Sequence, residues 1–499
     1  MKHATIVNNQ TIPVSEIPEI SYDEFFELNA GFITESVETH CVNYFGYPAG
    51  EMTKLICCIA DDLHHVIYVS SCRVNPTGDL PSLSVNLFCF EKFEREIHEN
   101  FGIGFTGHPW LKPLRYAHNR KDKTQTIANY PFYTIQGEEL HEVGVGPIHA
   151  GVIEPGHFRF ICNGEQILHL EIQLGYQHRG IESLLLSRSK LSEQVQIAES
   201  IAGDSVAGHT LAFSSVWESL CGFNATEDIH FSRTLALELE RIAVHTGDLG
   251  AACADVAYQL GSAVFGRLRT PIINFLQEWC GNRLGKGLIR PGNNTFPFTP
   301  DLSKRLTEVL HVFEYQFIEM NDELFSMPSA LSRFERTGSV SLENMVSIGT
   351  VGMAARSSGL KRDIRSSHPH SLYGTLQHEP IVKRHGDVYS RLQLRKQEVP
   401  QSITYIRELM TSVPEYHPEP VPMGPLAPGS FAISLVEGWR GEICHCAVTG
   451  NDGKLLIYKV KDPSFHNWMA LAMAVRNNEI SDFPICNKSF NLSYCGHDL

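Results

Sequence analysis

The stretch AESIAGDSVAGHTLAFSSVWE (residues 198–218) marks the point at which the chain turns mainly helical. Small residues (Ala202, Gly203 and Ser205) stand where a long helical run begins, and His209 lies inside that run. Helical spacing is found over 190–221, 229–261, 263–284 and 300–326, and again near 340–358 and 400–412. The segment SRTLALELERIAVHTGDLGAACADVAYQLG (232–261) has apolar residues on more than one face, which is typical of a helix buried inside a bundle.

Strands are predicted on both sides of this bundle. In residues 20–115, YDEFFELNAGFI (22–33) and EKFEREIHENFG (91–102) have helical spacing, the second closed by Gly102. TKLICCIADDLHHVIYVSSCRV (53–74) and LPSLSVNLFCF (80–90) alternate as strands do. A hairpin is predicted around Asn163-Gly164, and two strands and a short helix are predicted between 430 and 475.

The predicted fold class is therefore α+β and multidomain. A small N-terminal α/β domain covers 1–120, a polar linker covers 121–142, and a mainly α-helical bundle with small peripheral β-sheets covers 143–499.

Composition excludes several functional classes. The net charge of −15 argues against a nucleic-acid partner, because phosphate binding needs a basic surface. The sequence contains no run of about eighteen apolar residues that would form a transmembrane segment, and the N-terminus lacks a signal-peptide pattern. A cytosolic or cytoplasm-facing chain is therefore expected. The 13 cysteines include no C-x-x-C pair, which favours small buried hydrophobic residues over a zinc or iron–sulfur site.

The loop GVGPIHAGVIEPGHFRF (144–160) is the first candidate site. It places His149, Glu154 and His157 in a Gly/Pro-rich segment before a strand, and Glu and His are the usual proton-transfer side chains. A structured turn with polar tips would have the same pattern. In LGYQHRGIE (174–182), His178, Arg179 and Glu182 are either a structural ion-paired network or part of a site.

Three further polar clusters interrupt apolar helices. Solvated helix faces are a common reason for such clusters, but His245 lies in a mostly apolar helix, where a titratable group is costly. Asp387 and Arg391 are four residues apart, which predicts an intrahelical ion pair. The cluster of His245 also contains Glu238, Glu240 and Arg241, and the remaining cluster consists of Arg362, Asp363 and Arg365.

Taken together, the motifs resemble a known family. GPIHAGVIEPGHFRF, LGYQHRGIE, LALELERIAVHTGDLG, FGRLR, GDVYSR, EGWRGE and DFPICNKSF occur in one order. This order resembles the large subunit of group 4 energy-converting [NiFe] hydrogenases of the formate-hydrogenlyase (hydrogenase-4) type, and equally the homologous 49-kDa subunit of respiratory complex I. FEREIHENFGIGFTGHP (93–109) resembles the 30-kDa subunit of complex I.

The resemblance also shows what is missing. In the hydrogenases, four cysteine thiolates hold the nickel–iron pair, and the matching positions here are Ala202, Ser205, Ser493 and Gly496. Cys495 is one residue out of register. Because nickel and iron need soft thiolate ligands, the sequence predicts no metal site and no hydrogenase activity. The chain also ends near the point where hydrogenases carry a tail that is removed after nickel loading, and no such processing is expected here.

Compared with complex I, the sequence lacks one residue of the quinone site but retains candidates for others. The tyrosine that helps to bind the quinone there is absent, since the matching positions are about Ala202 and Gly203. The resemblance implies that His157 or His149 serves as the loop histidine that reaches the quinone. It also implies that His245, with His178 and Arg179, lies near an iron–sulfur cluster held by a partner subunit.

The resemblance implies a core subunit of a membrane-associated oxidoreductase complex. Electrons would come from a [4Fe-4S] cluster in a small partner subunit and pass to a quinone or another small acceptor. Glu154 and His157 would donate or relay protons, while His209, His245, Asp387 and Arg391 would line the site. Antiporter-like membrane subunits and quinone-module subunits are the other expected partners, at the cytoplasmic face of the inner membrane. The alternative is a non-catalytic docking subunit.

Overall fold

The first part of the chain folds as an antiparallel sheet with two helices. The computed structural model describes residues 2–135, 137–149, 154–417 and 422–499. The elements are β1 (Ala4–Ile6), β2 (Thr11–Pro13), β3 (Glu19–Ile20), α1 (Tyr22–Glu35), β4 (Thr39–Ala49), β5 (Met52–Asp61), β6 (Val66–Val74), β7 (Asp79–Pro81), α2 (Glu91–Phe101) and β8 (Gly104–Thr106). The strand order is β1-β6-β5-β4, with β3 parallel to β6. A capping box of Ser21 and Glu24 starts α1, and Gly102 (φ +80°) ends α2.

The strand predicted over 80–90 is wrong beyond Pro81. β7 is followed by two 3₁₀ turns, Leu83–Val85 and Phe88–Phe90. The buried carboxyl of Glu94 on α2 accepts hydrogen bonds from the Leu83 amide (2.8 Å) and from the hydroxyls of Ser82 and Ser84 (2.5 Å each). This carboxyl supplies the acceptors that a neighbouring strand would otherwise provide, so the segment turns.

A three-stranded sheet follows, in the order β11-β10-β9. It consists of β9 (Leu140–Val145), β10 (His157–Asn163) and β11 (Gln166–Gln173). The predicted hairpin is confirmed, and Gly164 at its turn has a φ of +55°. β9 begins inside the stretch predicted as the linker (121–142).

The helical region contains eleven helices and two short strands among the described residues. They are α3 (Ile181–Ser187), α4 (Leu191–Ala198), α5 (Val206–Cys221), α6 (Glu227–Asp255), α7 (Gln259–Cys280), β12 (Ile289–Arg290), β13 (Asn293–Asn294), α8 (Pro300–Leu324), α9 (Pro328–Phe334), α10 (Leu342–Ile348), α11 (Gly352–Ser357), α12 (Ile364–Ser367) and α13 (Val388–Met410). α6 is buried along nearly its whole length, as predicted. The single helix predicted over 190–221 is broken, because residues 199–205 leave the helical conformation between α4 and α5.

The C-terminal part adds β14 (Ser430–Glu437), β15 (Glu442–Thr449), β16 (Leu455–Lys461), α14 (Ser464–Ala474), α15 (Phe483–Phe490) and α16 (Tyr494–Asp498). Three strands therefore replace the two that were predicted, since the chain turns at 450–454. The sheet order is β16-β15-β14-β2, so an N-terminal strand completes the C-terminal sheet. Val42 and Phe45 share one hydrophobic core with Phe431 and Ile433.

The predicted mixed architecture of helices and small sheets is confirmed. In the part of the chain that the structure describes, no helix is both long enough and apolar enough to cross a membrane.

Candidate functional site

Arg440 lies in a buried polar centre at the turn between β14 and β15. Its guanidinium makes two bonds with Asp204 (Nη1–Oδ1 2.9 Å, Nη2–Oδ2 2.5 Å), and Nη1 also donates to Ser205 Oγ (3.2 Å). Nε donates to the carbonyl oxygen of Asn491 (2.5 Å), and the guanidinium lies 4.0 Å from the ring centroid of Trp439. One arginine therefore joins the segment before α5, the β14–β15 turn and the C-terminal helices.

Glu154 reaches this centre from the loop before β10. Its Oε2 accepts a hydrogen bond from the backbone N–H of Cys495 (3.3 Å). Burial raises the pKa of the Glu154 carboxyl, and the charge of Asp204 adds to this effect while Arg440 opposes it. Burial likewise raises the pKa of the Cys495 thiol, whose sulfur lies 3.4 Å from Ser493 Oγ. A carboxyl that keeps its proton more readily than usual suits a proton donor.

The four positions that match the nickel–iron ligands come together around this centre. Ala202 is buried, and the Ser205 hydroxyl accepts a hydrogen bond from Arg440. Ser493 caps α16 by accepting a hydrogen bond from the Gly496 amide (2.9 Å). A Cβ on Gly496 would lie only 2.6 Å from the carboxylate of Asp462.

These residues do not fit a nickel–iron pair. The donors at the four positions are two hydroxyls and no thiolates, and the adjoining space holds the Arg440 guanidinium and the Asp462 carboxylate. Across residues 2–135, 137–149, 154–417 and 422–499, no three His, Cys, Asp or Glu side chains are grouped so that they could hold a metal ion.

His209 forms the middle of a buried hydrogen-bonded chain. Its Nε2 lies 3.0 Å from Asp462 Oδ2, its Nδ1 lies 3.1 Å from His445 Nε2, and His445 Nδ1 lies 2.8 Å from the Tyr458 hydroxyl. Burial would raise the pKa of Asp462, but the hydrogen bond and charge of His209, together with Arg440, lower it to about 2. Burial holds the pKa of His445 well below its usual value, and the charge of His209 lowers it further.

The outer end of this hydrogen-bonded chain lies beside a cleft. Tyr458 lines a cavity of about 210 Å³ that also borders Lys459, Glu182 and Asn119. A continuous row of donors and acceptors therefore runs from Asp462 to Tyr458, a buried residue that borders this cavity.

Glu240 on α6 is a second carboxyl with a raised pKa. It accepts hydrogen bonds from the amides of Ala207 (2.7 Å) and Gly208 (3.4 Å) in the first turn of α5. Burial raises its pKa to about 8, and the charge of Asp204 contributes in the same direction. At neutral pH this carboxyl therefore holds a proton beside the Arg440–Asp204 pair.

The loop histidines have separate surroundings. His157 begins β10, where its Nδ1 lies 3.1 Å from the carbonyl oxygen of Gly146 and its ring packs on Phe132. His149 is exposed. Residues 150–153, which join His149 to Glu154, lie outside the described residues. The described contacts bring Glu154 to the Arg440 centre and place His157 at the start of β10.

The predicted ion pair of Asp387 and Arg391 is wrong. Asp387 precedes α13 and caps it, and its carboxylate accepts hydrogen bonds from the backbone amides of Ser390 (2.8 Å) and Arg336 (2.9 Å). Arg391 donates instead to Ser489 Oγ (2.8 Å) and to the carbonyl oxygen of Gly386 (2.6 Å). Burial lowers the pKa of Arg391 to about 10. Arg391 therefore holds the segment that ends at Asn491, the residue bonded to Arg440.

His245 belongs to a buried ion network centred on Glu398 of α13. His245 Nε2 lies 2.7 Å from Glu398 Oε2, Arg356 bonds the other oxygen, and Arg241 lies 3.5 Å away. Burial lowers the pKa of His245, against the raising effect of the hydrogen bond with Glu398. Glu238, Arg241, Asp363 and Arg365 are also buried, so a solvated helix face does not account for these clusters.

His178 and Arg179 bind backbone carbonyls. His178 Nδ1 lies 2.7 Å from the carbonyl oxygen of Asp498. The Arg179 guanidinium donates to the carbonyl oxygens of Ile201 (2.8 Å) and Cys495 (3.2 Å), so it holds together the two segments that carry the former ligand positions. Glu182 pairs with Lys459 (2.8 Å).

Sequence reasoning missed Arg440, Asp204, Asp462 and His445. The only sequence signal for Arg440 was its place in the motif EGWRGE, and Asp204 lies within the opening stretch itself. His445 lies in strand β15 and Asp462 just after β16, both more than two hundred positions from His209.

Comparison with known proteins adds to this picture. The sequence profile of the family described as "Respiratory-chain NADH dehydrogenase, 49 Kd subunit" matches residues 255–425. Formate hydrogenlyase subunit 5 of Escherichia coli K12 is 28% identical over 426 residues, which cover 80% of this chain and 74% of that protein. The C/D-type NADH-quinone oxidoreductase subunit of Phocaeicola vulgatus is 28% identical over 399 residues, which cover 73% and 76% of the two chains.

A solved structure has the same fold. It is a chain of the membrane-bound sulfane sulfur reductase (MBS), an archaeal respiratory membrane complex, and superposes with a TM-score of 0.68 at 20% identity. The match covers 74% of this chain and all of that one. The resemblance inferred from the sequence motifs is thus confirmed.

Proposed function

We propose that this chain, which is similar to subunits of formate hydrogenlyase and of NADH-quinone oxidoreductase, is the core of a membrane-associated oxidoreductase complex that works without a nickel–iron centre. In this proposal electrons come from a [4Fe-4S] cluster of a small partner subunit and pass to a quinone or another small acceptor near Arg440. The chain would be peripheral, on the cytoplasmic face of the inner membrane, beside antiporter-like and quinone-module subunits. Residues 1–120 would form the 30-kDa-like domain, 121–142 the linker, and 143–499 the 49-kDa-like domain.

The Arg440 centre carries this proposal. A guanidinium has five N–H donors, and in the described part of the chain the bonds to Asp204, Ser205 and Asn491 use four of them. The fifth would donate to a carbonyl or other oxygen of an acceptor, and would stabilise the negative charge that develops on reduction.

Reduction of a quinone-like acceptor also consumes protons. Glu154 and Glu240 have raised pKa values, and the charge of Asp204 contributes to both shifts. The row from Tyr458 through His445 and His209 to Asp462 would resupply protons from the cleft. His157 and His149 stay candidates for contacts with an acceptor that enters along the loop.

The remaining candidates are given positioning roles. Arg391 and Asp387 would fix α13 and the Ser489–Asn491 segment, and Arg179 would fix residues 201 and 495. His245, through Glu398, would keep α6 and α13 in register on the side that we assign to the partner's cluster, together with His178.

The test uses the complex purified without oxygen through a tag on this chain. We expect iron and sulfide but no stoichiometric nickel, and reduction of at least one member of an acceptor panel of quinones and sulfane sulfur compounds. Arg440→Met should lower that rate by about a hundredfold, on the scale of losing one donor to a developing oxyanion. Arg305→Met, which removes an exposed arginine paired with Glu278, is the matched control.

Two results would reject the proposal. One nickel per chain would show that a metal centre forms in spite of the missing thiolates. A complex that assembles with its iron–sulfur subunit but reduces no acceptor, in both wild type and Arg440→Met, would establish the docking role instead.

A further inference from the structure

A second cavity lies on the other side of α16 from the Arg440 centre. Its volume is about 350 Å³, which is within the range of small-molecule sites. α2, β11, α10 and α14 form its walls, and α16 contributes His497. Cys495 and His497 are two positions apart on that short helix, so they face different sides: Cys495 faces Glu154, and His497 faces this cavity.

Most of the wall is apolar. Leu170, Ile172 and Leu174 come from the β11 side, and Trp468, Met469 and Met473 come from α14. β11 is an edge strand of its sheet, and its residues from both faces, His169 to Gln173, border the space. Methionine side chains adapt to ligands of irregular shape, so this wall suits a flexible apolar body.

The charged side chains in the wall form ion pairs, except for one lysine inside the cavity. Arg95 donates to Glu91 (2.6 Å) and to two backbone carbonyls, and Glu171 is paired with Lys112 (2.6 Å). Lys92, the residue next to Glu91 on α2, also lines the cavity, but its ammonium makes no hydrogen bond or ion pair with any of the described residues. Arg476 adds an exposed second cation at the rim.

Lys92 is half-buried, and an ammonium beside apolar walls is stabilised when an anion joins it. Burial lowers the pKa of Lys92 to about 8, and Arg95 lowers it further against the opposing charge of Glu91. A bound anion would supply the missing partner. His497 does not compete for that role, because burial lowers its pKa to about 4 and leaves it neutral at pH 7.

We propose that this cavity binds an amphipathic organic anion, with its acidic group on Lys92 and its apolar body along Met469, Met473 and the β11 edge. The site is independent of the acceptor chemistry at Arg440. A carboxylate and a phosphate monoester share the required chemistry, and the experiment separates them.

The test is calorimetric titration of the full chain, and of the assembled complex, with dodecanoate, dodecyl phosphate and the neutral dodecanol, all below their micelle concentrations. We expect one site per chain for an anion and much weaker binding of dodecanol. The tighter of the two anions identifies the headgroup.

Lys92→Gln should weaken anion binding by about tenfold to a hundredfold, the usual worth of a hydrogen bond to a charged group. Lys304→Gln is the control, since Lys304 is an exposed lysine on α8 away from the cavity. Met473→Trp, which leaves Lys92 intact and fills the chamber, should abolish binding and covers the case in which Lys92→Gln fails to fold.

Equal affinity in Lys92→Gln and wild type would overturn the proposal, as would dodecanol binding as tightly as the anions. Absence of binding by wild type would do the same. Binding by the chain that is lost in the complex would show that a partner subunit occupies the cavity, which also contradicts a small-molecule site.

Discussion

Replacing Gly496 by alanine tests whether the former metal space is filled as the structure describes. A Cβ at this position would lie 2.6 Å from Cγ and Oδ2 of Asp462 and 2.9 Å from Ser493 Oγ. Real Cβ atoms do not make contacts that short, so Asp462 or α16 must move. At Gly203, in the other former ligand segment, a Cβ would meet no atom within 4 Å. Gly203→Ala is therefore the matched control.

The cost follows from what holds Asp462 in place. Its carboxylate is bonded to His209 Nε2 (3.0 Å) and to the Ser464 amide (2.7 Å), and hydrogen bonds to charged groups contribute about 1.5–3 kcal/mol each. Overpacking a buried site costs about 1–3 kcal/mol. If the carboxylate gives way and loses one of these bonds, Gly496→Ala should destabilise the protein by about 3 kcal/mol, against less than about 0.5 kcal/mol for Gly203→Ala.

Urea unfolding followed by tryptophan fluorescence measures this difference, because Trp468 donates to the Ser493 carbonyl at the start of α16. A double variant sharpens the test. Asp462→Ala removes the group that Gly496→Ala would contact. The double variant should therefore lose clearly less unfolding free energy than the two single variants lose in total. A Gly496→Ala protein as stable as Gly203→Ala would refute the packing described here.

Three other predictions concern buried polar groups. The Glu240 carboxyl releases its proton near pH 4.5 in the unfolded chain and near pH 8 in the folded one, so the protein loses about 1.4 kcal/mol of stability per pH unit between these values. Glu240→Gln should therefore flatten the fall in the urea midpoint between pH 4.5 and pH 8, and an unchanged slope would contradict the raised pKa. Glu398→Gln should cost about 3–5 kcal/mol in the same assay because it leaves buried cations unpaired, whereas Asp322→Asn, in an exposed pair with Lys396, should cost under about 1 kcal/mol. Tyr458→Phe should lower acceptor turnover by about a hundredfold with KM unchanged, since it ends the proton row without touching Arg440, and an equal rise in KM would point to acceptor binding instead.

Local signals predicted much of the fold. Helical spacing predicted α1, while Gly102 after α2 and the Asn163-Gly164 turn each fix one element boundary. The apolar residues on several faces of α6 agree with its deep burial. Predictions failed where a distant side chain decides the backbone. Segment 80–90 turns because Glu94 supplies its acceptors, and residues 199–205 leave the helix where Arg179 and Arg440 bind them.

The site was predictable only in outline. Sequence motifs located Glu154 and the four positions without thiolates, but not what fills the space between them. Spacing of four residues suggested that Asp387 and Arg391 pair, yet a carboxylate at an N-cap is already engaged by backbone amides. The partners of Arg440 and His209 come from strands and turns far away in sequence, and no local pattern predicts such contacts.

The protonation of the centre bears on the choice between an enzyme and a docking subunit. Arg440 with Asp204 and Asp462 would suffice to hold the surrounding segments together, and the two amide hydrogen bonds of Glu240 to α5 would serve a docking subunit as well as an enzyme. Glu240 nevertheless holds a proton up to about pH 8 next to that pair, and burial shifts the pKa of Glu154 in the same direction. Buried acids with raised pKa values, beside a guanidinium with one N–H that makes no bond to the described residues, suit proton-coupled reduction. We therefore favour the proposed catalytic role over docking, and the acceptor assay with Arg440→Met decides between the two.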